Sequence, residues 1–241
     1  MHRMTLRCVA SAAVLAAVAA TAWAGGQYPG GGQMPGRPGA GPPGMGQPGG
    51  GGEPSTAAST EKPDAVAKKA FNAGVKSLAK AKEFEEIAAK APNEDKKSRA
   101  LEKLNDAWGK ALDQFTEALS NKGDMVEAWN YVGYVHLRLG AYNEAIDDYN
   151  HTLALKSDLL EAIEHRAEAY VAVDRLDDAK SAYMDLFNHA RPLADQLMAA
   201  MQKWLSDHRA AANGMRAADI EAFGKWLQER DGIAKTAASS N

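Results

Sequence analysis

The chain has 241 residues, a formal net charge of −3 at pH 7 and one cysteine, Cys8. A mildly acidic chain is a poor candidate for binding nucleic acid, because that recognition depends on neutralising phosphates. With its only cysteine near the N-terminus, the rest of the chain can form neither disulfides nor cysteine-based metal sites. A chain of this size can instead be stabilised by an ordinary apolar core.

The N-terminal segment has the three parts of a cleavable secretory signal. Arg3 and Arg7 form a short positive region, residues 8–22 are uncharged, and an A-x-A site ends at Ala24. An uncleaved membrane anchor is the alternative, but a bilayer span needs about 20 apolar residues and this run is shorter. We therefore expect a signal peptide over 1–24, cleavage after Ala24, a periplasmic or secreted location, and no integral membrane span in the mature chain.

Residues 25–62 form a low-complexity segment that holds 14 of the 22 glycines and 7 of the 10 prolines. A segment with so few aliphatic side chains cannot bury enough apolar area to offset its chain entropy. We expect it to be disordered. It serves either as a plain linker, which the composition favours, or as a weak interaction tail.

The amino-acid composition changes at Pro63, after which alanine, leucine, glutamate and lysine dominate. Apolar residues recur three and four positions apart, which predicts successive amphipathic helices and no strands. The predicted fold class is therefore all-α, with the disordered segment preceding it.

Two stretches within this helical part, 126–159 and 160–193, align at a spacing of 34 residues. The alignment matches small residues with small residues and rings with rings. Its main pairs are Ala128 with Ala162, Ala145 with Ala179, and Tyr149 with Tyr183. A fixed period of this length predicts a solenoid of two-helix units.

The first stretch resembles the tetratricopeptide repeat family. Trp129, Val132 and Gly133 occupy its W-x-x-L-G positions, with Ala145 and Tyr149 at its small and aromatic positions. Several positions differ from the pattern of the family and make the match less close. These are Thr152 and Ser157 in the first copy, and Ile163, Ala167 and Asp174 in the second.

The resemblance implies a short solenoid whose end units are atypical, because they must cap the exposed core. We expect a degenerate two-helix unit over 63–125, with an insertion around 91–94, followed by the repeats 126–159 and 160–193. Capping helices are expected over 194–234, with the last one closed by Gly232, and a disordered tail over 235–241.

In that family the first helix of each unit lines a concave groove that binds protein segments. Outward positions of the two first helices are expected to line it here. They are Glu127, Asn130, Tyr134, Leu137 and Arg138 in the first repeat, and Glu161, Glu164, Glu168 and Val171 in the second. Such a groove is mostly acidic, with one aromatic side chain, Tyr134, and one basic side chain, Arg138. It suits a peptide that carries lysine or arginine.

Glu164 and Glu168 are like charges one helical turn apart, which costs an isolated helix about 0.2–0.5 kcal/mol. Their retention on one face favours a binding role slightly. The alternative, which we prefer at this point, is that both are exposed residues that solubilise an alanine-rich helix. The clamp that the family uses for acidic C-termini needs lysine, arginine and asparagine, so glutamates here do not support that partner class.

The series Glu161, Glu164, His165 and Glu168 invites a metal interpretation, but the H-E-x-x-H zinc motif needs a second histidine. We expect no metal, no cofactor and no catalytic residues. The predicted function is a non-enzymatic scaffold or adaptor that binds a protein or peptide partner. Two alternatives remain open, a self-associating structural subunit of an envelope assembly and an accessory subunit of an envelope enzyme.

Overall fold

The computed structural model describes residues 62–210 and 217–239, and this part of the chain is all-α with a repeat-like order of helices, as expected. Its helices are α1 Pro63–Ala89, α2 Glu94–Asn121, α3 Val126–Leu139, α4 Tyr142–Leu155, α5 Leu160–Ala172, α6 Leu176–His189, α7 Arg191–Ala210 and α8 Ala217–Ser239. Each helix packs against the next one, and α3 also contacts α5. The predicted signal peptide and all of the Gly/Pro-rich segment except Lys62 lie outside the described residues.

Helices α1 and α2 form a long hairpin with clear start signals. Pro63 is in the first turn of α1, where its missing N–H costs nothing. The backbone N–H of Lys96 donates to the side chain of Asn93 at 3.0 Å, which caps the start of α2. The turn between the helices coincides with the insertion expected around residues 91–94.

The 34-residue spacing recurs in the backbone of the next two hairpins. Gly140 ends α3 with φ 78°, and Asp174, 34 positions later, has φ 61° after the end of α5. In both turns the N–H of the following residue donates to the carbonyl five positions back, at 2.9 and 2.8 Å. This bond closes a helix C-terminus when one residue adopts the left-handed region. The two hairpins therefore turn in the same way.

A row of rings joins the units. Phe115, Tyr149 and Tyr183 are 34 positions apart on α2, α4 and α6, and all three are fully buried. Each of the first two is covered by a ring from the next first helix. Tyr131 stacks on Phe115 at 5.1 Å, and His165 lies 5.9 Å from Tyr149. These ring contacts pack neighbouring units against each other.

Two glycines allow the helices of a unit to approach each other. A Cβ at Gly74 would lie 2.5 Å from the ring of Phe115, and one at Gly133 would lie 3.0 Å from the ring of Tyr149. The chain thus places a ring against a bare backbone in both the long hairpin and the first repeat.

Gly74→Ala is expected to lower the free energy of unfolding by about 1–3 kcal/mol, because the buried Phe115 ring has no room to move away. Gly109 is the matched control, since a Cβ there meets no atom within 4 Å. Gly109→Ala should instead stabilise α2 by up to about 1 kcal/mol through helix propensity. Urea unfolding of both variants decides this, and equal effects of the two changes would refute the close approach at Gly74.

The last two helices, α7 and α8, pack against the C-terminal end of the repeat units. The Trp204 Nε1–H of α7 donates to Asp174 at 3.0 Å, at the α5–α6 turn. Trp226 of α8 lies edge-on to Tyr183 at 5.5 Å and so covers the final ring of the row. Trp204 also meets Phe223 of α8 edge-on at 5.5 Å.

Two expectations about the C-terminal end are wrong. Gly232 does not close the last helix but lies inside it, and α8 continues to Ser239, past the expected boundary at Ala234. A glycine costs an exposed helix only about 1 kcal/mol, so it need not end one. Among the described helices, none has an apolar stretch long enough to cross a membrane.

Candidate functional site

The first helices of three successive units share one side of the molecule, and side chains from α1, α3 and α5 meet there. We call this surface the first-helix wall. Its residues are Lys82, Glu85, Glu127, Asn130, Tyr134, Arg138, Glu161, Glu164, His165 and Glu168. Seven of these are among the nine residues that the sequence predicts for the groove, and the other three come from the contacts.

Tyr134 is the centre of the wall. Its ring is 5.4 Å from the ring of His165 on α5 and 6.0 Å from the buried Trp108 on α2. The Lys82 ammonium lies 5.8 Å from the same ring. Burial is the largest of the effects that raise the pKa of Tyr134, so its hydroxyl keeps its proton at neutral pH.

An ion pair between Arg138 and Glu85 joins α3 to α1. Both side chains are only 19% exposed, so solvent screens this pair less than a surface pair. The pair neutralises the one cation that the sequence assigns to the groove. Arg138 is therefore a structural link between units as well as a wall residue.

Lys82 and Glu85 are missing from the sequence-based site for a geometric reason. Gly74 and Phe115 are 41 positions apart, whereas the equivalent Gly133 and Tyr149 are 16 apart. Helix α1 therefore runs well past the point where α3 ends, and this extra length carries the two charged residues to the wall. A template of 34 residues has no position for them.

The prediction that Glu164 is exposed is wrong. Glu164 is only 2% exposed. Burial, and then the nearby Glu168, raise its pKa to about 8, so the carboxyl is mostly neutral at pH 7. The interpretation of this pair as solubilising surface charges fails for the same reason.

Glu168 is half-buried, and burial raises its pKa as well, while Arg138 lowers it. Two carboxyls that share a buried site cannot both ionise at low cost. Because Arg138 favours charge on Glu168, the proton of the pair belongs on Glu164. The Glu164–Glu168 pair therefore keeps a proton on Glu164 at neutral pH.

His165 does not supply a charge to this pair. Its Nε2 lies 3.5 Å from a carboxyl oxygen of Glu164, but burial, the largest cause, lowers the His165 pKa to about 4. The imidazole is therefore neutral at pH 7, as is most of Glu164, and the contact is not an ion pair. The negative charge of Glu161 raises the His165 pKa and so partly offsets the effect of burial. Glu161 therefore lies near the imidazole ring.

Several polar atoms in the wall or next to it are buried without a hydrogen-bond partner in the described part of the chain. They include Oδ1 of Asn130, the hydroxyl of Tyr149 and Nδ1 of His165. Such atoms cost free energy unless they find partners. Within residues 62–210 and 217–239, no three His, Cys, Asp or Glu side chains come together as metal ligands.

The remaining groove residues are distributed unevenly. Glu127 and Glu161 are exposed in the first turns of α3 and α5, and Glu127 lies two turns from Tyr134, outside the central cluster. Val171, expected to face outward, is only 5% exposed within the core that includes α7, so that expectation is wrong. Leu137 is half-buried against the same core.

No known protein family matches this sequence, and no curated protein matches it either. The resemblance described above therefore rests on the residues and their 34-residue spacing.

Proposed function

We propose that the protein is a non-enzymatic scaffold or adaptor of the cell envelope, and that its helical units are of the tetratricopeptide repeat type. It binds a partner protein or peptide along the first-helix wall. The repeated backbone turns at Gly140 and Asp174 and the row of buried rings support the repeat type. Both features recur at the 34-residue spacing that the family uses.

The observation that carries the binding role is the continuity of the wall across three units. Glu85 contacts Arg138, Lys82 lies over Tyr134, and Tyr134 contacts His165. These contacts join polar and aromatic side chains of three separate helices into one continuous strip. A long strip with half-buried groups suits an extended or helical segment better than a small molecule, which prefers an enclosed pocket.

The charges of the wall favour a basic partner. Glu127 and Glu161 are exposed carboxylates that no internal cation pairs with among the described residues, whereas Arg138 is paired with Glu85. Complementary charge would guide a segment with lysine or arginine to this surface and fix its register.

The envelope location rests on the features of residues 1–24. The segment 25–62 between this signal and α1 has the Gly/Pro-rich composition that is typical of a linker. Fractionation of cells that produce the protein tests the location directly. Recovery of the uncleaved chain in the cytoplasm would contradict it.

Reversing the charge of Glu127 and Glu161 together, each to lysine, is expected to weaken binding of a basic peptide by about tenfold or more. The probe is a short acetylated and amidated peptide of alanine and serine that carries several lysines. The matched control is Glu144→Lys with Asp147→Lys, the same charge change on exposed positions of α4.

Fluorescence anisotropy of the labelled peptide gives the affinity of each form, and circular dichroism establishes that both variants remain folded. The proposal requires a loss in the wall variant and a smaller change in the control. Equal losses would show that net charge alone attracts the peptide. No binding by the unmodified protein would reject the basic partner.

A further inference from the structure

We infer that Glu164 and Glu168, with the hydroxyls of Tyr134 and Tyr149, form a subsite for one cationic side chain of the partner, which binds there in exchange for a proton. This inference rests on the proposed function, since it assigns a chemical role to one part of the wall. The step is balanced. An ammonium or guanidinium group arrives with its charge, the Glu164 carboxyl releases its proton to solvent, and the resulting carboxylate pairs with the cation.

The charge count of the cluster leaves room for one cation. Lys82 and Arg138 provide two positive charges, and Glu85, Glu161, Glu164 and Glu168 provide four carboxyls. Arg138 is already engaged by Glu85. A proton on Glu164 offsets one of these carboxyls in the free protein, and a cation from outside can take its place.

A second observation points to a ligand at this place. Tyr149 is fully buried, its hydroxyl has no hydrogen-bond partner among the described residues, and it interacts electrostatically with Glu168 and Glu164. Burial raises the Tyr149 pKa well above its usual value, so the hydroxyl remains available as donor and acceptor. An ammonium group has three N–H donors for such oxygens.

Among the described residues, no lysine or arginine forms an ion pair with Glu164. On its own helix it has Glu161, Glu168 and the neutral His165. From α1 the wall contributes Lys82 and Glu85, from α3 Tyr134 and Arg138, and from α4 Tyr149. Helix α7 packs against α5, and its side in this core is apolar, formed by Leu197, Met198 and Met201.

The cluster also has an open side. Glu168 and Tyr134 are half-buried, so both reach the surface of the wall. Lysine and arginine carry their charge on long apolar stems, which can lie along Tyr134 while the charged group extends inward. The cation would also lie close to aromatic faces, which adds to the attraction.

Proton exchange gives the inference a direct readout. We expect the lysine peptide to release close to one proton per binding event at neutral pH. This is measured by calorimetry in buffers of different ionisation enthalpy. The affinity should rise by about tenfold per pH unit below the Glu164 pKa of about 8, and level off above it. A peptide with norleucine in place of lysine should bind weakly and release no proton, whereas one with arginine should behave like the lysine peptide.

Glu164→Gln is the decisive variant, because its neutral amide imitates the protonated carboxyl and so preserves the fold. It should abolish proton release and weaken binding of the lysine peptide by about tenfold at alkaline pH. The matched control is Glu144→Gln, a change at an exposed glutamate of α4 outside the wall, which should keep both the proton release and the pH dependence. Tyr149→Phe should weaken binding at every pH without changing the number of protons released.

The outcomes separate this inference from the proposed function. If the peptide binds the wall, as judged by the Glu127 and Glu161 reversals, but releases no proton and is insensitive to Glu164→Gln, the subsite is wrong while the binding role stands. If no basic peptide binds the unmodified protein, both fall. Proton release that persists in Glu164→Gln would also overturn the subsite.

Discussion

Phe115→Ala is expected to lower the free energy of unfolding by about 3–5 kcal/mol, the largest effect of any single change considered. The ring is fully buried and fills the space above Gly74. It also stacks on Tyr131 at 5.1 Å and contacts Phe71 at 5.6 Å. Its loss therefore opens a cavity in the long hairpin and in the joint to the next unit at once. Urea unfolding measures the change.

Phe84→Ala is the control for this prediction. Phe84 is on the same hairpin but is only half-buried, so its removal should cost less than about 2 kcal/mol. If the two variants lose equal stability, the row of rings is not the main joint between units. The same result would weaken the repeat interpretation, since a solenoid depends on contacts between neighbours.

Glu164→Gln is expected to stabilise the free protein at alkaline pH by about 2–4 kcal/mol. The Glu164 pKa is about 8 in the folded protein, against an ordinary value of 4.5. Between these values the folded form holds the proton and the unfolded chain does not, so a rise in pH favours unfolding. The stability lost in this window, from pH 4.5 to about 8, is what the amide restores.

The measurement is urea unfolding of both proteins at several pH values. The gap between Glu164→Gln and the unmodified protein should be small near pH 5 and largest at pH 8 and above. Glu161→Gln, at an exposed position, should follow the unmodified protein throughout. Parallel curves for Glu164→Gln and the unmodified protein would mean that Glu164 is solvated, and that the wall has no protonated carboxyl.

The all-α class and the order of the helices can be predicted from the sequence because packing restricts residue size at fixed intervals. Alanines at 145 and 179 and tyrosines at 149 and 183 must recur where helices touch. Turn residues recur for a similar reason, as Gly140 and Asp174 show. The requirements on residue size and on turn residues are the same in each unit, so they recur in the sequence every 34 residues.

The state of Glu164 could not be predicted in the same way. Helical periodicity places Glu164 on the same face of α5 as Glu168, which is the predicted groove face. Its charge argues that this side chain is exposed to solvent. Its burial depends on how α3, α4 and α5 come together, and a sequence period does not report the distance between helices. Lys82 and Glu85 escaped prediction because the extra length of α1 has no equivalent in the other units.

The most direct test of the account is to locate a bound basic peptide on the protein. The lysine peptide, carrying a photoreactive group, is cross-linked to the purified protein, and the attachment sites are mapped by mass spectrometry. We expect cross-links to wall residues of α1, α3 and α5, around Lys82, Tyr134 and Glu161, and we expect these cross-links to be lost when the charges of Glu127 and Glu161 are reversed. Cross-links on the exposed faces of α2, α4 or α6 would contradict it.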